Sequence, residues 1–186
     1  MLFIALANAS FCQPLSADSK NVKVVYEELV KHPDSKQKQL AYLKAFPENK
    51  KQFLRVFGAV DFGQLYKDSH EYITAFFELS KKYPAAVIDK SINIGKDLIW
   101  DADAVGDLQH SIVEMGNEHT STFATKVNAL TASQQKNLTK FLADVENHKA
   151  YPEYQALIDA LNKIHQVKLA GRLIKARTER EKIKHD

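Results

Sequence analysis

The chain has 186 residues, of which 45% are hydrophobic and 26% charged. This length suits one well-buried core, and the composition is typical of a globular rather than a disordered chain. Only six glycines and five prolines are present, so we expect long, uninterrupted elements. The one cysteine, Cys12, lies in an apolar N-terminal stretch, and a processed form would therefore lack disulfides and cysteine-bound zinc.

Charge is distributed unevenly along the chain. Residues 163–186 carry eight basic and three acidic side chains, a net charge of +5, whereas residues 1–162 have a net charge of −2. The basic character thus belongs to the C-terminal end.

The N-terminal stretch is typical of a secretory signal. It is apolar from Leu2 to Ala7 and holds no charged side chain before Asp18. Small residues follow, and they predict cleavage near Ala9 or Cys12. Because Met1 is followed directly by an apolar residue, the usual basic leader is missing, and we expect the true start to lie upstream.

These features predict a signal segment over 1–12, a short linker over 13–17 and one helical domain over 18–186. The expected location is secreted or periplasmic, in a bacterium. The alternative is an apolar N-terminus that packs on the domain.

Helical spacing of apolar residues runs through the whole chain. It predicts helices over 18–31, from 34 to Phe46, 47–57, 69–82, 84–95, 102–118, 123–130 and 131–145, and a last one from Pro152 into the tail. Thr131 and Gln134 match a capping box at the start of the 131–145 helix, and Gly58 suits a left-handed end of the 47–57 helix. No alternating stretch of strand length is evident. We therefore predict an all-α domain of about eight or nine helices.

Two segments share a layout that suggests a repeat. Phe46-Pro47 is followed by Gly58, and Tyr83-Pro84 is followed by Gly95 at the same spacing. The offset of 37 residues falls among helical-hairpin repeats of the HEAT and tetratricopeptide type. The sequence leaves two architectures open, namely an irregular helical-hairpin stack and an orthogonal helix bundle.

One predicted helix carries a polar face with metal-ligand chemistry. The side chains on this face are Asp103, Asp107, His110, Glu114 and Glu118. Carboxylates and an imidazole one turn apart can chelate a divalent cation. The opposite face is apolar, so a polar face directed toward water is the alternative.

The C-terminal helix, predicted over 163–186, is basic on one side. Lys168, Arg172 and Lys175 lie on this side, and an apolar stripe runs beside them. Such a helix suits an anionic surface, for example lipid headgroups. A solvated terminal helix is the alternative.

No catalytic motif stands out, and we expect no cofactor. The sequence therefore favours an exported binding or scaffold protein with an unknown protein partner and no nucleic-acid role. The alternatives are a metal-dependent protein that uses the acidic face, and a protein that contacts anionic membranes through its basic C-terminal helix.

Overall fold

The computed structural model describes residues 16–59, 64–101, 103–145 and 151–183. The predicted signal segment and its cleavage positions lie outside these ranges. Within them every regular element is helical, which confirms the all-α prediction. The helices are α1 (Ala17–Lys31), α2 (Lys36–Ala45), α3 (Lys50–Phe57), α4 (Ser69–Glu78), α5 (Pro84–Gly95), α6 (Ala104–Glu118), α7 (Thr120–Asn128), α8 (Ala132–Ala143), α9 (Pro152–Lys163) and α10 (Val167–Ile183), with a single 3-10 turn at Leu79–Lys81.

Short polar side chains define several helix starts. Thr131 and Gln134 form the predicted capping box at the start of α8, in which each side chain bonds the other residue's backbone N–H. Ser35 caps α2 by accepting from the Lys38 backbone N–H. Asn49 caps α3 in the same way, so α3 begins at Lys50 and not at Pro47 as predicted.

Helix α6 lies at the centre of the fold. It packs against α4, α5, α7, α8 and α9. Its buried side chains include the apolar face expected from the sequence: Val105, Leu108, Ile112 and Met115. The opposite, polar face of α6 therefore has a fixed orientation with respect to its neighbours.

The corner between α2 and α3 is held by contacts with α4 and α5. The Phe46 ring stacks on Phe76 with a centroid separation of 3.8 Å. The Lys90 ammonium group donates to the backbone oxygens of Leu43 and Phe46, each at 2.8 Å. Burial lowers the pKa of Lys90, and the nearby Glu48 carboxylate partly opposes this effect. A long-range contact thus satisfies carbonyls that the end of α2 leaves free.

Gly58 ends α3 for a reason that differs from the prediction. The sequence suggested a left-handed glycine, but its φ is −71°, which any residue adopts. A Cβ at this position would lie 2.5 Å from the backbone oxygen of Leu54. Close approach of the backbone, rather than the φ angle, requires glycine here.

The last predicted helix is two helices, because the chain breaks at His165. This residue has a φ of 60°. The His165 N–H donates to the Asn162 oxygen at 3.0 Å, and the Gln166 N–H donates to the Leu161 oxygen at 2.8 Å. These bonds are those of a Schellman C-cap, in which glycine usually takes the left-handed position. The break explains why ten helices are described where eight or nine were predicted.

Replacement of Gly58 by alanine should lower the free energy of unfolding by about 1–3 kcal/mol, because a rigid backbone oxygen stands where the new methyl group would lie. Gly171 is the matched control, since nothing lies within 4 Å of its added Cβ in α10. Gly171→Ala should stabilise by up to about 1 kcal/mol through helix propensity. Urea unfolding measures both, and equal effects of the two substitutions would contradict the steric explanation.

His165→Gly should raise the free energy of unfolding by about 1 kcal/mol, because the left-handed conformation costs a β-carbon residue that much. His32, which follows α1 with a φ of −136°, is the control. There glycine should destabilise, since it gains nothing and loses more chain entropy. If His165→Gly also destabilised, the imidazole itself would have to contribute to the cap.

Candidate functional site

The polar face of α6 lines a groove, and its side chains at His110, Glu114 and Glu118 remain exposed to water. Asp107, His110, Glu114 and Glu118 form one wall of a half-open groove of about 340 Å³. The other wall is built by α4 and the turn after it, which contribute His70, Glu78 and Lys81. Four of the five predicted metal ligands are therefore brought to one place.

Asp103, the fifth predicted ligand, is not part of this groove. It precedes α6 with a φ of 56°, and its Oδ2 accepts a hydrogen bond from the Tyr66 hydroxyl. This bond raises the pKa of Tyr66, since it favours the protonated phenol. Asp103 thus connects the start of α6 to the segment before α4.

Two side-chain pairs lie within the groove. Asp107 Oδ2 lies 3.3 Å from His70 Nδ1, and Lys81 pairs with Glu78. No group of three or more His, Cys, Asp or Glu side chains in the described ranges is arranged to hold a metal ion. The metal site remains a prediction from the sequence.

His110, which lines the groove, makes an aromatic contact that sequence reasoning missed. The His110 ring stacks on Tyr151 with centroids 4.5 Å apart and planes 20° apart. Tyr151 is 4% exposed, and its hydroxyl has no hydrogen-bond partner among the described residues. Burial, with a smaller contribution from Glu114, raises the pKa of this phenol. In the sequence Tyr151 is visible only as the aromatic residue before Pro152.

A second polar surface lies between α8 and α10. Lys136 and Lys140 of α8 face Arg172 and Lys175 of α10 across a groove of about 270 Å³. We call these four residues the basic face. The sequence identified Arg172 and Lys175 but not the two lysines of α8. Lys168, the third predicted residue, is exposed one turn before Arg172 and does not line this groove.

The position of the basic face depends on the burial of the apolar side of α10. Leu169, Leu173 and Ala176 are buried at 2%, 0% and 6% exposure, and α10 packs on α8 and α9. The Tyr154 hydroxyl donates to the Leu173 oxygen at 2.9 Å. Arg180 pairs with Asp144 at the end of α8. The tail is therefore docked along most of its helix.

The loop after α5 adjoins the basic face. Lys96, Ile99 and Trp100 line a cavity of about 400 Å³ together with Lys140, which also belongs to the basic face. Ile99 is 75% exposed, and Trp100 is partly buried. Among the described helices none is long and apolar enough to cross a membrane.

Tyr151→Phe should leave the free energy of unfolding unchanged or slightly higher, because it removes a buried hydroxyl that has no partner in the described ranges. Tyr154→Phe is the matched control, because it removes the hydrogen bond to the Leu173 oxygen. It should cost about 1 kcal/mol. Urea unfolding at neutral pH distinguishes the two.

Urea unfolding of the same variants at a series of pH values provides a second test. The pKa of Tyr151 is raised in the folded state by burial, so its ionisation does not affect stability below the unfolded value of about 10. Above that pH the unfolded chain ionises this phenol more readily than the folded chain, and the fold loses stability as pH rises toward the folded pKa. Tyr151→Phe should therefore lose less stability than the parent chain above that pH. Strong destabilisation at neutral pH would instead show that the hydroxyl has a partner.

Comparison with protein-family models, curated proteins and solved structures finds no match for this chain.

Proposed function

We propose that this chain is a binding protein that recognises an anionic partner through the basic face. One observation carries the proposal. Four cations from two helices line one groove, and Glu179 is the only carboxylate that lines it among the described residues. Glu179 lies 3.9 Å from Lys175, so it offsets one charge of the four.

The other three cations are available to a partner. In the described ranges no carboxylate oxygen lies within 4.0 Å of the charged nitrogens of Lys136, Lys140 or Arg172, in contrast to Lys175 of the same face, which lies near Glu179. Like charges held together repel one another, and an anion relieves this repulsion. The Arg172 guanidinium can also bind a phosphate or carboxylate group through two parallel hydrogen bonds.

The expected strength of binding is modest. Each lysine or arginine near an anionic surface contributes about 1 kcal/mol. The three cations that Glu179 does not offset give about 3 kcal/mol, which corresponds to a dissociation constant of about 6 mM. The basic face therefore suits a partner with many repeated anionic groups, and its binding should weaken as salt increases.

We also propose a helix-bundle architecture and export from the cell. The surrounding of α6 by five other helices supports a bundle over a helical-hairpin stack, in which each unit contacts only its neighbours. The apolar start of the sequence supports export, so the partner would belong to the cell envelope or its surroundings. A metal-dependent role for Asp107, His110 and Glu114 stays a prediction of the sequence alone.

Removal of two cations from the basic face should weaken anion binding. The double variant Lys140→Gln/Arg172→Gln should bind heparin, a repeating polyanion, about 30-fold more weakly, since each charge contributes about 1 kcal/mol. The measurement is the salt concentration at which the protein elutes from immobilised heparin, together with a titration at fixed ionic strength.

Lys20→Gln/Lys44→Gln is the matched control, because it removes the same charge from exposed positions of α1 and α2. These helices do not contribute to the basic face. The control should elute close to the parent chain. Equal losses in the two double variants would show that only net charge matters and would contradict a specific basic face.

A further inference from the structure

The loop between α5 and α6 presents an apolar side chain beside the basic face. Ile99 has the highest exposure, 75%, of the large apolar side chains in the described part of the chain. Lys140 of α8 lines both the cavity beneath this loop and the groove of the basic face. Helix α8 thus lies between the apolar loop on one side and α10 on the other.

Both neighbours of Ile99 in the loop are buried or partly buried. Leu98, the residue before it, is 5% exposed and belongs to the core. The Leu98 N–H donates to the Gly95 oxygen at the end of α5, at 3.2 Å. Trp100, the residue after it, is partly buried and lines the same cavity as Lys140 of α8. Exposure of Ile99 is therefore set by buried neighbours, and it is not the fraying of a chain end.

We infer that the anionic partner is a phospholipid surface, with Ile99 entering the interface and the basic face binding headgroup phosphates. This inference rests on the proposed function. Tryptophan favours the boundary between headgroups and acyl chains, which is where Trp100 would lie. A soluble polyanion would use the four cations but would leave the exposed isoleucine without a role.

The charges of the basic face and the apolar side chain of Ile99 would each contribute weakly to membrane binding, and together they strengthen it. Stable attachment to a membrane surface usually needs two signals, such as a charged patch and an apolar anchor. Burial of most of one isoleucine side chain strengthens binding about tenfold. The charge contribution of the basic face multiplies this factor.

The loop itself adds no net positive charge. Residues 96–101 hold one lysine and two aspartates, Asp97 and Asp101, and Asp144, which also lines the cavity, is paired with Arg180. The positive charge of the surface therefore comes from the basic face, of which Lys140 also lines this cavity.

The test uses the full chain and vesicles of two compositions, phosphatidylcholine alone and an equal mixture of phosphatidylcholine and phosphatidylglycerol. Ile99→Ser should weaken binding to the anionic vesicles about tenfold. It should leave heparin binding unchanged, because the cations are untouched. Val30→Ser is the matched control, since Val30 is 59% exposed on the distant α1.

Trp100 provides an independent readout, because it is the only tryptophan of the chain. Its fluorescence should shift to shorter wavelength with anionic vesicles and should not shift with heparin. Circular dichroism checks that each variant keeps the parent helix content.

The outcomes separate the inference from the proposed function. Loss of vesicle binding in Ile99→Ser but not in Val30→Ser, with a fluorescence shift, supports the lipid surface. In one contrary outcome, the protein binds heparin through Lys140 and Arg172 and yet does not bind vesicles. In another, Ile99→Ser binds vesicles as well as the parent chain does. Either result overturns the lipid surface and leaves an anionic polymer or acidic protein as partner. Absence of binding to both probes overturns both.

Discussion

The burial of the apolar side of α10 is the constraint on which the position of the basic face depends. Leu169 and Leu173 are almost fully enclosed, and full burial of a leucine stabilises a fold by about 1.5–3 kcal/mol. This packing outweighs the repulsion between the cations that it brings together, because exposed charges interact weakly through water. A tail that would otherwise be a solvated basic helix becomes one wall of a groove with fixed charge positions.

Elsewhere in the fold, too, buried apolar contacts determine where the polar groups lie. Helix α6 is enclosed on its apolar side, and its polar side is turned toward α4, where Asp107 meets His70. At the corner between α2 and α3, Lys90 satisfies carbonyl groups from a helix more than forty residues away in sequence. Each polar element is placed by an apolar contact nearby, so the positions of charges follow from the core.

Features set by local sequence were predictable, and features set by distant contacts were not. The cap of α8 depends on Thr131 and Gln134 alone, which are three residues apart, and it was predicted. The break at His165 carries no glycine or proline and becomes favourable only because α10 must turn back onto α8 and α9. The start of α3 was misplaced because Asn49 is a stronger helix cap than Pro47 is a helix start.

In the candidate site as well, residues related by local spacing were predicted and residues brought together by distant contacts were missed. Spacing along α6 placed Asp107, His110, Glu114 and Glu118 on one face, and they share one groove. Spacing along the tail found Arg172 and Lys175 but had no means of finding Lys136 and Lys140, whose proximity depends on how two helices pack. Tyr151 was missed because its contact with His110 joins residues forty-one positions apart.

Hydrogen–deuterium exchange of the full chain, with and without anionic phospholipid vesicles, tests the central claim most directly. A surface built from α8, α10 and the loop after α5 should gain protection over residues 96–101, 132–140 and 168–179, while α1 to α3 exchange as before. Protection centred on the groove between α4 and α6, or a pattern identical in the two samples, would contradict it.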